Sequence, residues 1–415
     1  MSDGHHAHVE NQVWLRAFLF AAVLVTIGVV AYGVLSVGLA TGAHHAWEDA
    51  LAEANGDTHD HHVIDAHLQF LTWNVAGNTI LFMMIVYASF IGLAGLMNSS
   101  KAQADHGHDD HGHHGSASPI IMAVGVMLFM MGFPSFAAAA EDFLYNGGGA
   151  FGEMLLSLVG LSVVMAGVAN WWGEDLPFDG HSEQIATASA DMVPFRGQHV
   201  RKAGIWIFLM SEVMVFGSFF SSYLRMRTGW CTEWALDAGR CTGETVVTAS
   251  DLLRHDIATL LPGAINTFAL IISSYTIVLA LKTAKAKDWT PKEGLMGKLM
   301  PSQRIAVRNY LIATLMLGSM FIVLKLIEWS HLIAEGFTLQ SQQGSIFYIA
   351  TGAHGLHVFL GLIVMLYMIF KADLDPEVHG TGWTNDNAQG IEYFGLYWHF
   401  VDLAWVVIFP AFYLY

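Results

Sequence analysis

Nine stretches of this chain hold about 20 or more consecutive residues with almost no charge, and no other feature limits the fold as strongly. They run roughly 13–40, 72–97, 119–140, 152–172, 203–224, 257–281, 309–333, 345–370 and 391–414. A hydrocarbon core of about 30 Å is crossed at about 1.5 Å per residue, so each stretch is long enough to span a bilayer. Lipid supplies no partner for an unpaired backbone group, and the period-two alternation of barrel strands is absent, so the spans are expected to be helices. The composition agrees: of 415 residues, 54% are hydrophobic and only 13% charged. The fold class read from the sequence is an all-α integral membrane protein with nine transmembrane helices.

The basic residues orient it. The loop 282–308 carries Lys282, Lys285, Lys287, Lys292, Lys298, Arg304 and Arg308, and such loops stay cytoplasmic. Alternation then puts the N-terminus inside and Tyr415 outside. The N-terminal MSDGHHAHVE is acidic and histidine-rich, so no cleaved leader is expected. Cys231 and Cys241 share one outer loop, facing an oxidising compartment in a bacterium or archaeon, and are expected to form a disulfide. The net charge of −17 excludes a nucleic-acid partner. An outer loop with Glu48, Asp49, Glu53, Asp57, Asp60 and Asp65 reads as solvated surface, with the docking of a cationic partner as the sharper alternative.

Two tracts are rich in histidine, HHAWEDALAEANGDTHDHHVIDAH at 44–67 and DHGHDDHGHHG at 105–115. The second is read as a linker between an N-terminal two-helix hairpin, 1–118, and a seven-helix body, 119–415. Imidazoles beside carboxylates suit Zn, Cu or Ni, but tracts of this kind bind weakly unless a second shell fixes the ligands, and the sequence identifies none. No metal ligand is assigned. The two tracts fall on opposite faces of the membrane in this topology and cannot share an ion. No internal repeat and no phosphate-binding glycine loop is found, so nucleotide-driven transport has no support.

Ionisable residues at membrane depth are costly and mark function or structure. Glu212 lies nearly two turns into its helix. Lys325 and Glu328 are three apart on one helical face, as are His354 with His357 and His399 with Asp402. Two histidines three apart on one helix cannot ligate opposite faces of one haem, which leaves His354 with His399 as the remaining pair to consider. A di-iron centre needs two Glu-x-x-His motifs and two further glutamates, whereas Glu328–His331 is the single motif recognised. Lys325 and Glu328 read most simply as an intramembrane ion pair. Glu212 is equally consistent with a proton path, a transporter site or a structural acid, and an independent transporter using Glu212, Lys325 and Glu328 is the rival reading.

In order, NWWGEDLPFDGH (170–181), KAGIWIFLMSEVMVFGSFF (202–220), LPGAINTFALIISSYT (261–276), LKLIEWSH (324–331), GSIFYIATGAHGLHVFLG (344–361) and YWHFVDLAWVVIFP (397–410) resemble helices two to seven of subunit III of haem–copper cytochrome c oxidases. The resemblance covers 119–415; the N-terminal hairpin and its histidine-rich loops lie outside it. It implies a seven-helix bundle with a V-shaped, phospholipid-holding cleft. It also implies a chain with no redox centre of its own, associated with subunits I and II that carry haem and copper, and supporting proton uptake and sustained turnover. Cytochrome c, another respiratory complex or a quinol then become expected partners of the assembly. The residues implicated in lipid contact or structural hydrogen bonding are Trp171, Trp172, Glu212, Glu328, His354, His357, Trp398, His399 and Asp402. Arg201 joins Trp171 and Trp172 at the inner interface, where phosphates need donors.

Overall fold

The computed structural model describes residues 3–104, 117–146, 151–175, 189–191, 193–229, 236–239, 249, 257–291, 293–373, 383 and 388–414. Among these residues there is no strand, only an isolated bridge between Ser189 and His199. The helices are α1 (Asp3–Tyr32), α2 (Ala40–Glu53), α3 (His61–Ala104), α4 (Ser118–Asn146), α5 (Phe151–Asp175), α6 (Val200–Gly229), α7 (Ile257–Ala284), a short α8 (Leu295–Leu299), α9 (Gln303–Ala334), α10 (Gln342–Asp373) and α11 (Gln389–Phe409). A π-helical segment, Gly33–Leu39, joins α1 to α2, and a second, Pro410–Leu414, follows α11.

Eight helical segments of the described residues are long and apolar enough to cross a membrane. A ninth helix, α5, has 25 residues, of which the described apolar part, Gly152–Val168, is shorter. The all-helical membrane architecture expected from the apolar blocks is therefore present. One difference is that the first span runs without a break from Leu15 to Glu53. At about 1.5 Å per residue this is far longer than the hydrocarbon core, so the polar end of α2 projects beyond it.

The chain forms two compact units. One comprises Met1–Leu35, Ala76–Ala102 and Gly204–Tyr415; the other comprises Ser36–Val75 and Gln103–Ala203. In the first, α7, α9, α10 and α11 pack as the central bundle. Its ends are fixed locally. The Ser302 hydroxyl caps α9 by accepting the Ile305 N–H at 3.3 Å. At the other end Gly336, at φ +85°, donates to Ile333 while Phe337 donates to Leu332, so the last carbonyls are satisfied and Phe337 and Leu332 are buried together. The Gln303 amide donates to the Thr283 and Ala286 carbonyls, closing the C-terminal end of α7 against the start of α9. The later part of α3 joins this unit through Tyr87, which is buried and hydrogen-bonded to Ser319 on α9 at 3.0 Å.

In the second unit, α4 and α5 pack as an antiparallel pair made possible by missing side chains. A Cβ on Gly160 would stand 2.3 Å from the Phe129 nitrogen, and one on Gly125 2.6 Å from the Val164 nitrogen. Backbone approaches of this kind are how helices associate in lipid, where apolar burial gives little drive. Ser157 adds a bond to the Phe129 carbonyl at 3.1 Å. Gly160→Val is therefore expected to lower stability by at least about 1–3 kcal/mol, because the obstructing atoms are backbone and cannot yield. Gly152→Ala, which meets open space, should change little. Thermal unfolding of the two purified variants in detergent compares them.

Candidate functional site

Five helices, α6, α7, α9, α10 and α11, gather intramembrane polar residues into two groups. The first joins α6, α10 and α11. His357 on α10 donates from Nδ1 to the Ala353 carbonyl at 2.7 Å and shares a proton between Nε2 and Glu212 Oε2 at 3.0 Å. The Tyr397 hydroxyl on α11 donates to the His357 carbonyl at 2.8 Å. Phe216, one helical turn beyond Glu212, closes over the imidazole with ring centroids 5.4 Å apart. Both nitrogens of His357 are thus committed, and what they form is a clamp between three helices.

The second group lies deeper, with His354, Ser273, Thr314, Trp398 and Trp405 buried and Thr267 and Thr276 half-buried. His354 donates from Nε2 to the Val401 carbonyl at 3.0 Å, and its ring lies between Phe321 and Trp405, each 5.2 Å away. Trp405 donates to Thr267 at 3.0 Å and Trp398 to Ser273 at 2.8 Å, which ties α11 to α7. Thr276 and Thr314 meet at 2.8 Å between α7 and α9. Farther along α9, Lys325 donates to Glu328 Oε1 at 2.7 Å, with side chains only 4% and 3% exposed. The Tyr413 hydroxyl bonds both Lys325 and Glu328. The ammonium also lies 4.8–5.3 Å from the ring centroids of Phe347, Trp405 and Tyr413, so aromatic faces surround the cation where carboxylate does not.

Glycines make room for these side chains. Trp398 fills the space that a Cβ would need at Gly318 (3.0 Å) and at Gly361 (2.7 Å), and Trp329 lies 3.3 Å from the Cβ position of Gly352. The small residues of ATGAHGLHVFLG thus let α10 admit tryptophans from both neighbours.

The structure does not make a pair of His354 and His399. His354 is bonded to Val401, whereas His399 borders a shallow groove between α7 and α11 with Ile277, Leu281 and Glu392. Asp402 is half-buried beside Ser274 and His399. Arg201 is exposed at the start of α6, its backbone N–H donating to His199 Nδ1 at 3.1 Å. Trp171 and Trp172 occupy the last turn or so of α5, with side chains outside the described residues, as are Cys231 and Cys241 altogether. Tyr397, Trp405, Tyr413, Thr267 and Ser273 are part of the network although the sequence did not single them out. Tyr413 lies 88 residues from Lys325 and no local spacing relates them.

Removing one partner of a buried ion pair leaves an uncompensated charge. Lys325→Met and Glu328→Gln are each expected to cost about 3–5 kcal/mol. The double variant Lys325→Met/Glu328→Gln should cost much less than their sum. A double-mutant cycle on unfolding in detergent checks this, and additive losses would contradict the coupling.

The sequence profile of the cytochrome c oxidase subunit III family matches residues 296–415. The chain is 26% identical over 317 residues to the heme-copper oxidase subunit I+III of Aeropyrum pernix, a match covering 74% of this chain and 32% of that protein. It is 30% identical over 217 residues to a probable quinol oxidase subunit 3 of Staphylococcus saprophyticus, covering 52% of this chain and 89% of that protein. It is also 30% identical over 212 residues to the cytochrome bo(3) ubiquinol oxidase subunit 3 of Pseudomonas putida, covering 51% and 84% respectively. The chain therefore spans about a third of the fused protein's length and most of the length of the two single subunits.

Proposed function

The chain belongs to the haem–copper oxidase subunit III family, and on that premise we propose that it is the non-catalytic third subunit of a terminal oxidase that reduces oxygen to water and pumps protons. Haem and copper then reside in subunits I and II, and this chain supplies architecture: bound phospholipid, support of proton uptake and a long catalytic lifetime. The observation that carries the reading is that the charged groups at membrane depth are paired inside the protein. Glu212 meets His357 between α6 and α10, and Lys325 and Glu328, neighbours on α9, share the Tyr413 hydroxyl from the chain's last helical segment, which is the behaviour of structural polar groups in lipid. The transporter alternative gains nothing from that pairing.

Partner subunits and lipid have an apolar surface to meet. On α6, Ile207, Met210, Val213 and Met214 are all more than half exposed. We place headgroup contacts at Arg201 and at the Trp171–Trp172 end of α5, on the cytoplasmic side of an inner membrane, with the N-terminus inside and the C-terminus outside. The hairpin 1–118 is an addition to the 119–415 body, attached at Tyr87–Ser319. Cytochrome c, after the name of the matching family, is the first reading of the assembly's donor. Quinol is the second reading, favoured by relatives that carry quinol oxidase names.

Purification from membranes tests the whole. The chain should come out with larger subunits and with a-, b- or o-type haem spectra; their absence would overturn the oxidase assignment. Reduced cytochrome c and a quinol, offered in turn to that complex, decide the donor. Glu212→Ala and His354→Ala should leave the initial rate of oxygen consumption near normal and shorten the time over which turnover persists. Unchanged inactivation kinetics would remove these residues from that role.

A further inference from the structure

We propose that His44, His45 and Glu48, at the polar end of α2, bind a divalent first-row transition-metal ion. This lies outside the subunit III body. His44 Nδ1 stands 3.6 Å and His45 Nδ1 3.3 Å from Glu48 Oε2, and the three donor atoms all lie within 4.8 Å of one another. Donors about 2.0–2.1 Å from a tetrahedral ion are separated by about 3.4 Å, so an ion fits among them with side-chain adjustment alone. The side chains are 39%, 69% and 57% exposed, which leaves an entry path from water.

What the tract lacked as a sequence, the fold provides. The His44 ring is held edge-on by Trp47 at 5.5 Å and by Phe70 of α3 at 5.1 Å, and Trp47 stacks on His67 at 4.5 Å. These aromatic groups belong to one compact unit with α2, and they orient the imidazole as an outer shell orients metal ligands. The C-terminal turn of α2 is fixed by Gly56 donating to Leu51 and Asn55 donating to Ala52. Two loop carboxylates are used otherwise: Asp57 accepts the His59 N–H within the loop, and Asp60 accepts the His62 N–H, capping the start of α3. Glu48 is left to complete a donor set with the two imidazoles.

Two imidazoles and one carboxylate suit Zn2+, Cu2+, Ni2+ or Fe2+, with Cu2+ held most tightly, and three protein donors leave one or more positions for water. Coordination through Nδ1 leaves each Nε2 with the proton. Without metal the same atoms form only exposed His–Glu contacts, which are worth little.

The test uses the intact complex in detergent after dialysis against a chelator, titrated with Zn2+ and, for its visible bands, with Co2+. One saturable ion per chain is expected at this position. His44→Ala, His45→Ala and Glu48→Gln should each weaken binding at least about tenfold. A triple variant, His59→Ala/His61→Ala/His62→Ala, should retain the site, with co-purification of the chain with the haem-bearing subunits reporting that every variant is assembled. Binding by the Glu48→Gln and His44→Ala variants as tight as that of the unaltered chain, or loss confined to the loop triple, would overturn the proposal.

Discussion

In a hydrocarbon environment a polar group has no partner except another part of the protein, and the rest of this molecule is arranged around that constraint. Main-chain groups meet it by forming helices. Side chains meet it by pairing across helices, which is why Glu212 reaches from α6 to His357 on α10 and why Lys325 and Glu328 enclose Tyr413. Each bond that joins two helices, such as Glu212–His357 or Trp398–Ser273, also fixes their distance and rotation. The polar residues so identified are the points at which the bundle acquires one geometry rather than several.

Packing around those points depends on unequal partners. Trp398 and Trp405 are fully buried, and each uses its indole N–H on a hydroxyl of α7 while its ring faces α9 and α10. The glycines opposite, Gly318 and Gly361, are where the Trp398 ring fits. Aromatic faces then do double duty, filling volume and surrounding the Lys325 ammonium. A cation in the bundle is tolerable there because one carboxylate, one phenol and three rings replace its water.

The N-terminal region obeys different rules at its two ends. Where α3 enters the bundle unit, Tyr87 is buried and finds Ser319, as lipid-embedded groups must. At the polar end of α2 the histidines and acids meet water, and their arrangement is free to serve coordination rather than helix packing. The π-helical segment Gly33–Leu39 separates the two regimes, with Ser36 bonded to the Asn74 carbonyl at 3.1 Å. Extensions of this kind add a water-facing end to a chain whose body is otherwise committed to the membrane.

By itself the sequence determined the solvent, the secondary structure and the family. Apolar blocks of bilayer length permit helices and little else, and the His-Gly-Leu-His and Tyr-Trp-His-Phe-Val-Asp stretches are specific at the level of local motif. It also placed Glu212, Lys325, Glu328 and His354 as anomalies, since charge in a hydrophobic run is visible without any structure. What it left open was their partners. Glu212 and His357 are 145 residues apart, and Lys325 and Tyr413 are 88 apart, separations over which no periodicity relates one side chain to another. Only the tertiary structure decided those pairings, because they depend on the mutual rotation of helices, which glycine gaps and tryptophan insertions set. The same holds at His44, His45 and Glu48. Their spacing is written in the chain, but the rings that orient His44 come from Trp47 beside it and from Phe70 across the turn.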